Sequence, residues 1–347
     1  DKVCQIRWGI ASFEHRFGHR PEGMWLPEMA VDCETLEVMV AEGICFTVLS
    51  AEQVSGDMGA GAGPYWVWLP SGAKIAVFLR DVELSNALSF SMPDVAGTDA
   101  WVEEHIAWRC RLGGLLLIAT DGETFGHHHR QGVEVLSRIL RGGQANSYEL
   151  TTLGTYLDEH PPQIDVEIVQ DTAWSCSHGL NRWVMGCDCT PGDSRWKGTL
   201  RRALDHLGSE LDWSYAQEAQ RAGVDPWSLR DDYIAVHLGQ IDGRTLFANH
   251  GMDHLSTEDA QGLLWLLEAQ FYRQRMYTSC TFFFEDLDRQ EPRYAIANAV
   301  QAIALNYYAT GDDLSGSFRR DLRIVVSQST GLTGADILEQ ILEQAEL

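Results

Sequence analysis

The chain has 347 residues, of which 45% are hydrophobic and 12 are Trp, and its formal net charge is −24. This composition allows a large core, either one barrel-sized domain with a helical appendage or two ordinary domains, and it excludes a disordered chain. The negative charge excludes nucleic acid and anionic membrane surfaces as expected partners, because both bind concentrated basic patches.

The sequence indicates a cytoplasmic location. No apolar run approaches the ~20 residues of a membrane span, and no signal-peptide pattern opens the chain. The eight cysteines are thinly spread and several lie in apolar stretches, which is typical of reduced thiols. The chain begins at Asp1 rather than Met, so its native beginning is left open.

Residues 1 to about 170 alternate predicted helices with predicted strands. The helical patterns cover residues 5–17, 34–43, 98–112 and 128–141. The strand patterns are GMWL (23–26), ICFTVLS (44–50), PYWVWLP (64–70), KIAVFLR (74–80), LLLIAT (115–120) and QIDVEIV (163–169). Gly18 is expected to end the first helix, Asp32 to cap the second, and a Pro-Ser-Gly turn to join the segments 64–70 and 74–80 in a hairpin. After about residue 195 the apolar spacing is almost wholly helical. We therefore expect an α/β domain at 1–195 followed by a helical bundle at 196–347.

Polar or aromatic side chains follow four of the predicted strands. They are Glu28, Asp81, Asp121, and the pair Trp174 and His178. A barrel or sheet brings the ends of its strands together on one rim, which is where catalytic residues usually lie. Two carboxylates on a rim lined by Trp suit glycosidic chemistry, in which one acts as nucleophile and the other donates a proton.

Four segments resemble glycoside hydrolase family 57, specifically the subgroup with an uncharacterised helical domain after the catalytic domain. They are GMWLPEMAVDCETLEVMVAEGICFTVL, ATDGETFGHHHR, DTAWSCSHGLNRW and RQRMYTSCTFFFEDL. The resemblance implies an incomplete (β/α)7 barrel that cleaves or transfers α-glucan or maltooligosaccharide linkages with retention, using neither metal nor cofactor.

The resemblance also implies roles for individual residues. Glu28 matches the family nucleophile and Asp121 the general acid/base. Residues expected to line the sugar subsites are Trp25, Glu123, His127, Trp174 and His178. Asp81 is a further candidate for the same rim, with a turn or helix-cap role as its alternative.

The chain departs from the family at its beginning. Family members open with a strand that carries a His-Gln-Pro type motif, and this motif is not found here. We therefore expect the first barrel strands to be missing from this chain. A separate chain is one candidate to supply them. A non-catalytic carbohydrate-binding or scaffold remnant is therefore an alternative. A metal-dependent, deacetylase-like hydrolase that uses Asp121 and the histidines at 127–129 is a third reading.

A second pattern concerns soft metal ligands. Cys176, His178, Cys187 and Cys189 form C-x-H followed by C-x-C, which is the right number of ligands for tetrahedral zinc, although the spacing is not that of a common zinc finger. The competing interpretation, from the resemblance, has His178 facing substrate while the cysteines pack in the core.

Overall fold

Two units make up the chain, and the computed structural model describes residues 1–58, 61–144 and 148–344. We call Pro21–Ser175 the sheet unit, and Asp1–Arg20 together with Cys176–Leu347 the helical unit. The predicted domain boundary at residue 195 stays a prediction. In the described residues, every helix is too short or too polar to span a membrane.

A mixed sheet forms the centre of the sheet unit, with five strands in the described residues and the order β1-β4-β3-β5-β2. The strands are β1 (Phe46–Leu49), β2 (Val54–Ser55), β3 (Tyr65–Trp68), β4 (Lys74–Leu79) and β5 (Asp165–Ile168). β4 is parallel to β1 and antiparallel to β3, while β5 is parallel to β3 and antiparallel to β2. Residues 75–78 of β4 are fully buried, as expected for a strand covered on both faces.

The helices of the sheet unit are short. They are α2 (Cys33–Ala41), α3 (Val82–Phe90), α4 (Thr98–Trp101), α5 (Trp108–Arg111), α6 (Gly132–Gln144) and α7 (Leu153–Glu159), and a π-helical stretch, Val102–Ala107, joins α4 to α5. A core of aliphatic side chains from α3, α6 and the π-helical stretch packs Leu88 and Ile106 against Val135.

The helical unit begins with the first helix of the chain, α1 (Lys2–Phe17). Its other helices are α8 (Asn181–Val184), α9 (Trp196–Arg221), α10 (Pro226–Asp232), α11 (Ile234–His237), α12 (Gly243–Asn249), α13 (Thr257–Arg275), α14 (Ser279–Phe283), α15 (Gln290–Thr310), α16 (Ser315–Leu322) and α17 (Gly334–Gln344). The predicted helical character after residue 195 is confirmed. Leu207 and Leu211 of α9 are among the buried side chains of this unit.

Several local predictions are confirmed by cap and turn geometry. α1 ends at Gly18, whose φ of 76° is the left-handed conformation that glycine adopts readily. Asp32 caps α2 by accepting a hydrogen bond from the Thr35 N–H at 2.6 Å. β3 and β4 form the predicted hairpin, with Trp68 opposite Lys74.

Three predicted elements differ from the structure. The segment 23–26 makes only one bridge to β1, between Gly23 and Phe46, because the chain turns at Pro27. The segment 115–120 forms no strand and is only half-buried. A backbone hydrogen bond instead joins it to the start of α3, where the Leu117 carbonyl accepts from the Asp81 N–H at 2.7 Å. The helix expected at 128–141 begins at Gly132.

Candidate functional site

Glu28 lies on a strained turn that follows the apolar segment 23–26. Glu28 and Met29 have φ values of 57° and 48°, and each non-glycine residue in this region costs on the order of 1–3 kcal/mol. Two hydrogen bonds close the turn, from the Met29 N–H to the Leu26 carbonyl at 2.8 Å and from the Ala30 N–H to the Pro27 carbonyl at 2.9 Å. Strain of this kind persists where surrounding contacts hold the backbone, often at functional sites.

A buried glutamine supplies one of those contacts. The Gln53 side-chain amide donates to the Met29 carbonyl at 2.6 Å, while its oxygen accepts from the Ser50 N–H at 3.0 Å. Gln53 is 1% exposed and belongs to a capping box with Ser50, directly after β1. The turn that carries Glu28 is thereby tied to the carboxyl end of β1.

The Glu28 carboxylate is held on one side by two donors from residues after β5. Its Oε2 accepts from Trp174 Nε1 at 3.3 Å and from Ser175 Oγ at 3.1 Å, and the Trp174 N–H donates to the Glu28 carbonyl at 3.1 Å. The Trp25 and Trp174 rings meet edge to face, with centroids 5.3 Å apart. Trp25 is 41% exposed, so an open aromatic surface borders the carboxylate.

The route by which Trp174 reaches Glu28 differs from the expectation of one shared rim. β5 runs antiparallel to β1 and β4, as the pairings with β3 show. The segment after β5 instead turns back and pairs with the chain beside Glu28, through the bridge between Val31 and Thr172. The contact therefore depends on a local turn, which the number and order of the strands do not predict.

Arg80 packs against this aromatic group and interacts electrostatically with Asp121. Its guanidinium lies 4.9 Å from the centroid of the Trp174 ring, and its Nε donates to Ser50 Oγ at 2.7 Å. Burial lowers the pKa of Arg80, and the nearby carboxylates of Glu52 and Asp121 act in the opposite direction. A cation held against the Trp face is thus in electrostatic contact with the second predicted catalytic acid.

Asp121 begins an exposed turn that contains Glu123 and the three histidines. The Asp121 carbonyl accepts from the Thr124 N–H at 3.0 Å. Glu123 and His127 are exposed, whereas His129 is partly buried and its Nε2 lies 2.8 Å from the Ser89 carbonyl. Among the described residues, this turn does not gather three metal-ligand atoms, so the arrangement gives no support to the deacetylase-like reading.

The Asp81 side chain caps a helix and contacts an arginine. Its Oδ1 accepts from the Leu84 N–H at 2.9 Å, which caps α3, and its Oδ2 lies 3.7 Å from Arg109 Nε. The alternative given above for this residue, a helix cap, describes its contacts.

His178 lies in the helical unit, within a group of cysteines. Its Nδ1 is 3.0 Å from Cys187 Sγ and 3.2 Å from Cys189 Sγ, and Cys176 Sγ is 3.5 Å from Cys187 Sγ. Hydrogen bonding from Cys187 lowers the pKa of the Cys189 thiol to about 6. In the described residues these four side chains form the one group in which three or more metal-ligand atoms lie together, all within 4.8 Å of one another.

Sequence reasoning missed Arg80, Ser175 and Gln53. Arg80 follows β4 directly, next to Asp81, so its position after a strand was visible in the sequence. Gln53 is the last residue of the motif Ser-Ala-Glu-Gln, which is a capping-box pattern. The contact of Ser175 with Glu28 had no local signal, because the two residues are 147 positions apart.

Comparison with known proteins supplies two family matches. Residues 1–168 match the model of glycosyl hydrolase family 57, and residues 193–347 match a domain of unknown function, DUF3536. The 1,4-alpha-glucan branching enzyme TK1436 of Thermococcus kodakarensis is 21% identical over 261 residues, covering 52% of this chain. The chain spans only 38% of the length of that relative.

Solved structures show a similar fold. An exo-type maltose-forming amylase of Pyrococcus sp. ST04 matches 99% of this chain and 68% of its own, with a TM-score of 0.72 and 14% identity. The α-amylase AmyC of Thermotoga maritima matches 97% of this chain and 69% of its own, with a TM-score of 0.54 and 14% identity. At such identities the likeness shows the fold, a mixed α/β sheet with many helices, as in these enzymes.

Proposed function

Because the chain belongs to glycosyl hydrolase family 57 through its residues 1–168, we propose that it cleaves or transfers α-glucan linkages with retention of configuration. The observation that carries the proposal is the Glu28 carboxylate, fixed by Trp174 and Ser175 on a strained turn beside the exposed ring of Trp25. The names of the relatives, a glucan branching enzyme and a maltose-forming amylase, support α-glucans as substrate.

The proposed reaction has two displacements. Glu28 attacks the anomeric carbon while Asp121 protonates the departing glycosidic oxygen, which leaves a covalent glycosyl ester on Glu28. Asp121, now a carboxylate, then removes a proton from water or from a sugar hydroxyl, and that oxygen displaces Glu28. Water gives hydrolysis, whereas a sugar hydroxyl gives transfer or branching.

The hydrogen bonds to Glu28 support the nucleophile role. Both donors reach the same oxygen, Oε2, so Oε1 is the oxygen that we assign to the attack. A carboxylate that its neighbours already orient does not have to reorganise before it reacts.

Aromatic faces and exposed polar groups support sugar binding near this acid. Trp25 and Trp174 offer apolar platforms with polar edges, which suit the faces of glucose units. Glu123 and His127, exposed on the turn after Asp121, are proposed to contact sugar hydroxyls. We do not assign Asp81 or His178 to the sugar subsites. The Asp81 carboxylate already contacts Leu84 and Arg109, and the His178 ring already contacts the cysteines.

The sheet is proposed to be part of an incomplete (β/α)7 barrel. Parallel pairing of β1 with β4 supports this reading, since their carboxyl ends then share the edge that carries Ser50 and Arg80. Strand ends on one edge are the usual location of barrel active sites.

The test is the activity of the purified chain on amylose and maltooligosaccharides. Glu28→Gln is expected to reduce release or transfer of sugar by a factor on the order of 10³ or more. Glu167→Gln, an exposed glutamate on β5, is the matched control and is expected to keep full activity. Counting new reducing ends against new α-1,6 linkages separates hydrolysis from branching.

The opposite result defines the non-catalytic alternative. If the wild-type chain binds maltooligosaccharides but turns none over, and Glu28→Gln binds them equally well, the protein is a carbohydrate-binding or scaffold protein. Equal turnover by wild type and Glu28→Gln would remove Glu28 as the nucleophile.

A further inference from the structure

Three thiols and one imidazole lie together in residues 176–189, at the start of the second chain segment of the helical unit. Cys176 Sγ lies 3.5 Å from Cys187 Sγ and 3.9 Å from Cys189 Sγ. His178 Nδ1 lies 3.0 Å from Cys187 Sγ and 3.2 Å from Cys189 Sγ. All four atoms are within 4.8 Å of one another, although the residues span two separate turns of the chain.

These distances match the edges of a small tetrahedron. Zinc binds Cys at about 2.3 Å and His at about 2.0–2.1 Å, which makes the ideal S···S edge about 3.8 Å and the S···N edge about 3.5 Å. Each of the four separations given above is within about 0.5 Å of that geometry. The sulfur atoms are too far apart for a disulfide, whose S–S bond is about 2.05 Å.

The backbone presents the two pairs of ligands from opposite ends of α8 (Asn181–Val184). The second pair lies on a tight turn, in which the Thr190 N–H donates to the Cys187 carbonyl at 3.0 Å and the Cys189 N–H donates to Cys187 Sγ at 3.4 Å. An N–H donor to sulfur stabilises the thiolate that a metal requires.

Gly186 allows this turn to approach its neighbour. It has a φ of 96°, and a Cβ at this position would lie 2.4 Å from the Ser194 carbonyl oxygen. Any other residue would therefore displace the chain next to Cys187.

A buried cation lies next to the turn that carries the second pair of ligands. Lys197 is fully buried, and its Nζ donates to Thr190 Oγ1 at 3.0 Å and to the Phe283 carbonyl at 3.4 Å, both of them uncharged. Arg182, a second cation, is also buried. Burying a charge is costly unless an opposite charge compensates it.

A metal complex would provide that compensation. Three thiolates and a neutral imidazole around Zn²⁺ carry a net charge of −1, which complements the Lys197 ammonium. Burial and the nearby Arg182 cation lower the pKa of Lys197 to about 8, while Cys187, Glu285 and Cys176 act in the opposite direction. A net negative charge on the cluster would act in the same sense as these three groups.

We infer that Cys176, His178 through Nδ1, Cys187 and Cys189 bind one Zn²⁺ in a closed tetrahedral site. Four protein ligands leave no open position, so the metal is structural rather than catalytic. Binding releases the protons of the thiols and ties the segment 176–189 to the start of α9 through Lys197. The site is independent of the proposed glucan chemistry.

Metal analysis of the full chain tests this inference. The protein is purified under reducing conditions, stripped with a chelator and reconstituted with Zn²⁺ alone. We expect one tightly bound zinc per chain, and less than about one fifth of this in Cys187→Ser or Cys189→Ser, since losing a thiolate removes a principal ligand. Cys45→Ser in the sheet unit is the control and is expected to retain the full zinc content.

A spectroscopic readout covers the case in which a cysteine variant does not fold. Co²⁺ substituted into the wild-type chain is expected to give thiolate charge-transfer bands and the intense visible bands of tetrahedral coordination. Octahedral Co²⁺ bands, a zinc content unchanged in both cysteine variants, stoichiometric iron in place of zinc, or a disulfide in freshly purified protein would overturn the inference.

Discussion

The indole N–H of Trp174 donates to Oε2 of Glu28 across 3.3 Å, and the backbone N–H of the same Trp donates to the Glu28 carbonyl at 3.1 Å. One residue thus fixes both the main chain and the side chain of the proposed nucleophile. Because the two residues are 146 positions apart, this arrangement is a product of the tertiary fold.

Trp174→Phe tests the indole donor separately from the aromatic platform. Phenylalanine keeps a ring against the sugar but removes the N–H, so we expect kcat to fall about 10- to 100-fold, the equivalent of one hydrogen bond to a charged group, while KM changes less. Trp68→Phe on β3 is the control. A larger effect on KM than on kcat would show that Trp174 serves binding rather than orientation of Glu28.

Gln53→Leu tests the clamp on the strained turn. The variant keeps most of the buried volume but leaves the Met29 carbonyl and the Ser50 N–H without this partner, which is expected to cost about 1–3 kcal/mol of unfolding free energy. Urea denaturation measures the loss. We also expect kcat to fall, because the turn carries Glu28; full activity at reduced stability would separate the clamp from the site.

Arg80→Met tests the cation that lies against Trp174. A guanidinium over an indole ring helps to hold that ring in place, so its removal is expected to lower kcat/KM on the order of 10-fold. Arg138→Met, at a partly exposed arginine of the same unit that pairs with Asp99, is the control. An unchanged kcat/KM would mean that Arg80 does not support the site.

His206 gives a pH dependence of stability in the helical unit. A hydrogen bond to Asp321 raises the pKa of His206 above 6.5, so the folded state binds its proton more tightly than the unfolded state does. This contribution is fully present below pH 6.5 and is lost as the pH rises through the pKa of the folded state.

His206→Gln is therefore expected to flatten the pH dependence of the urea midpoint between about pH 5 and pH 8. The pair is partly exposed, so the effect is expected to be small. His15→Gln, at an exposed histidine of α1, is the control and is expected to keep the slope.

The sequence predicted the elements whose signals are local. The cap at Asp32, the stop at Gly18 and the hairpin of β3 and β4 each depend on a few neighbouring residues, and each is confirmed. The strand predicted at 115–120 is wrong, because apolar residues indicate burial but do not specify a hydrogen-bonding partner. Here the Leu117 carbonyl pairs with Asp81 of the start of α3 rather than with a strand.

The candidate site was predictable in part for the same reason. Motifs named Glu28 and Asp121 as candidates, but the roles of Arg80 and Gln53 depend on groups that only the folded chain brings near them. For Gln53, these are the carbonyl of Met29 and the N–H of Ser50. Long-range contacts of single polar side chains leave no periodic pattern to detect.

Covalent trapping is the most direct test of the central claim that Glu28 is the nucleophile of a retaining α-glucan enzyme. A 2- or 5-fluoro α-glycosyl fluoride slows breakdown of the glycosyl ester, and peptide mass spectrometry then locates the label. We expect one sugar per chain, attached to the peptide that contains Glu28 and absent from the Glu28→Gln variant. A label on another carboxylate, or an equal label in Glu28→Gln, would contradict it.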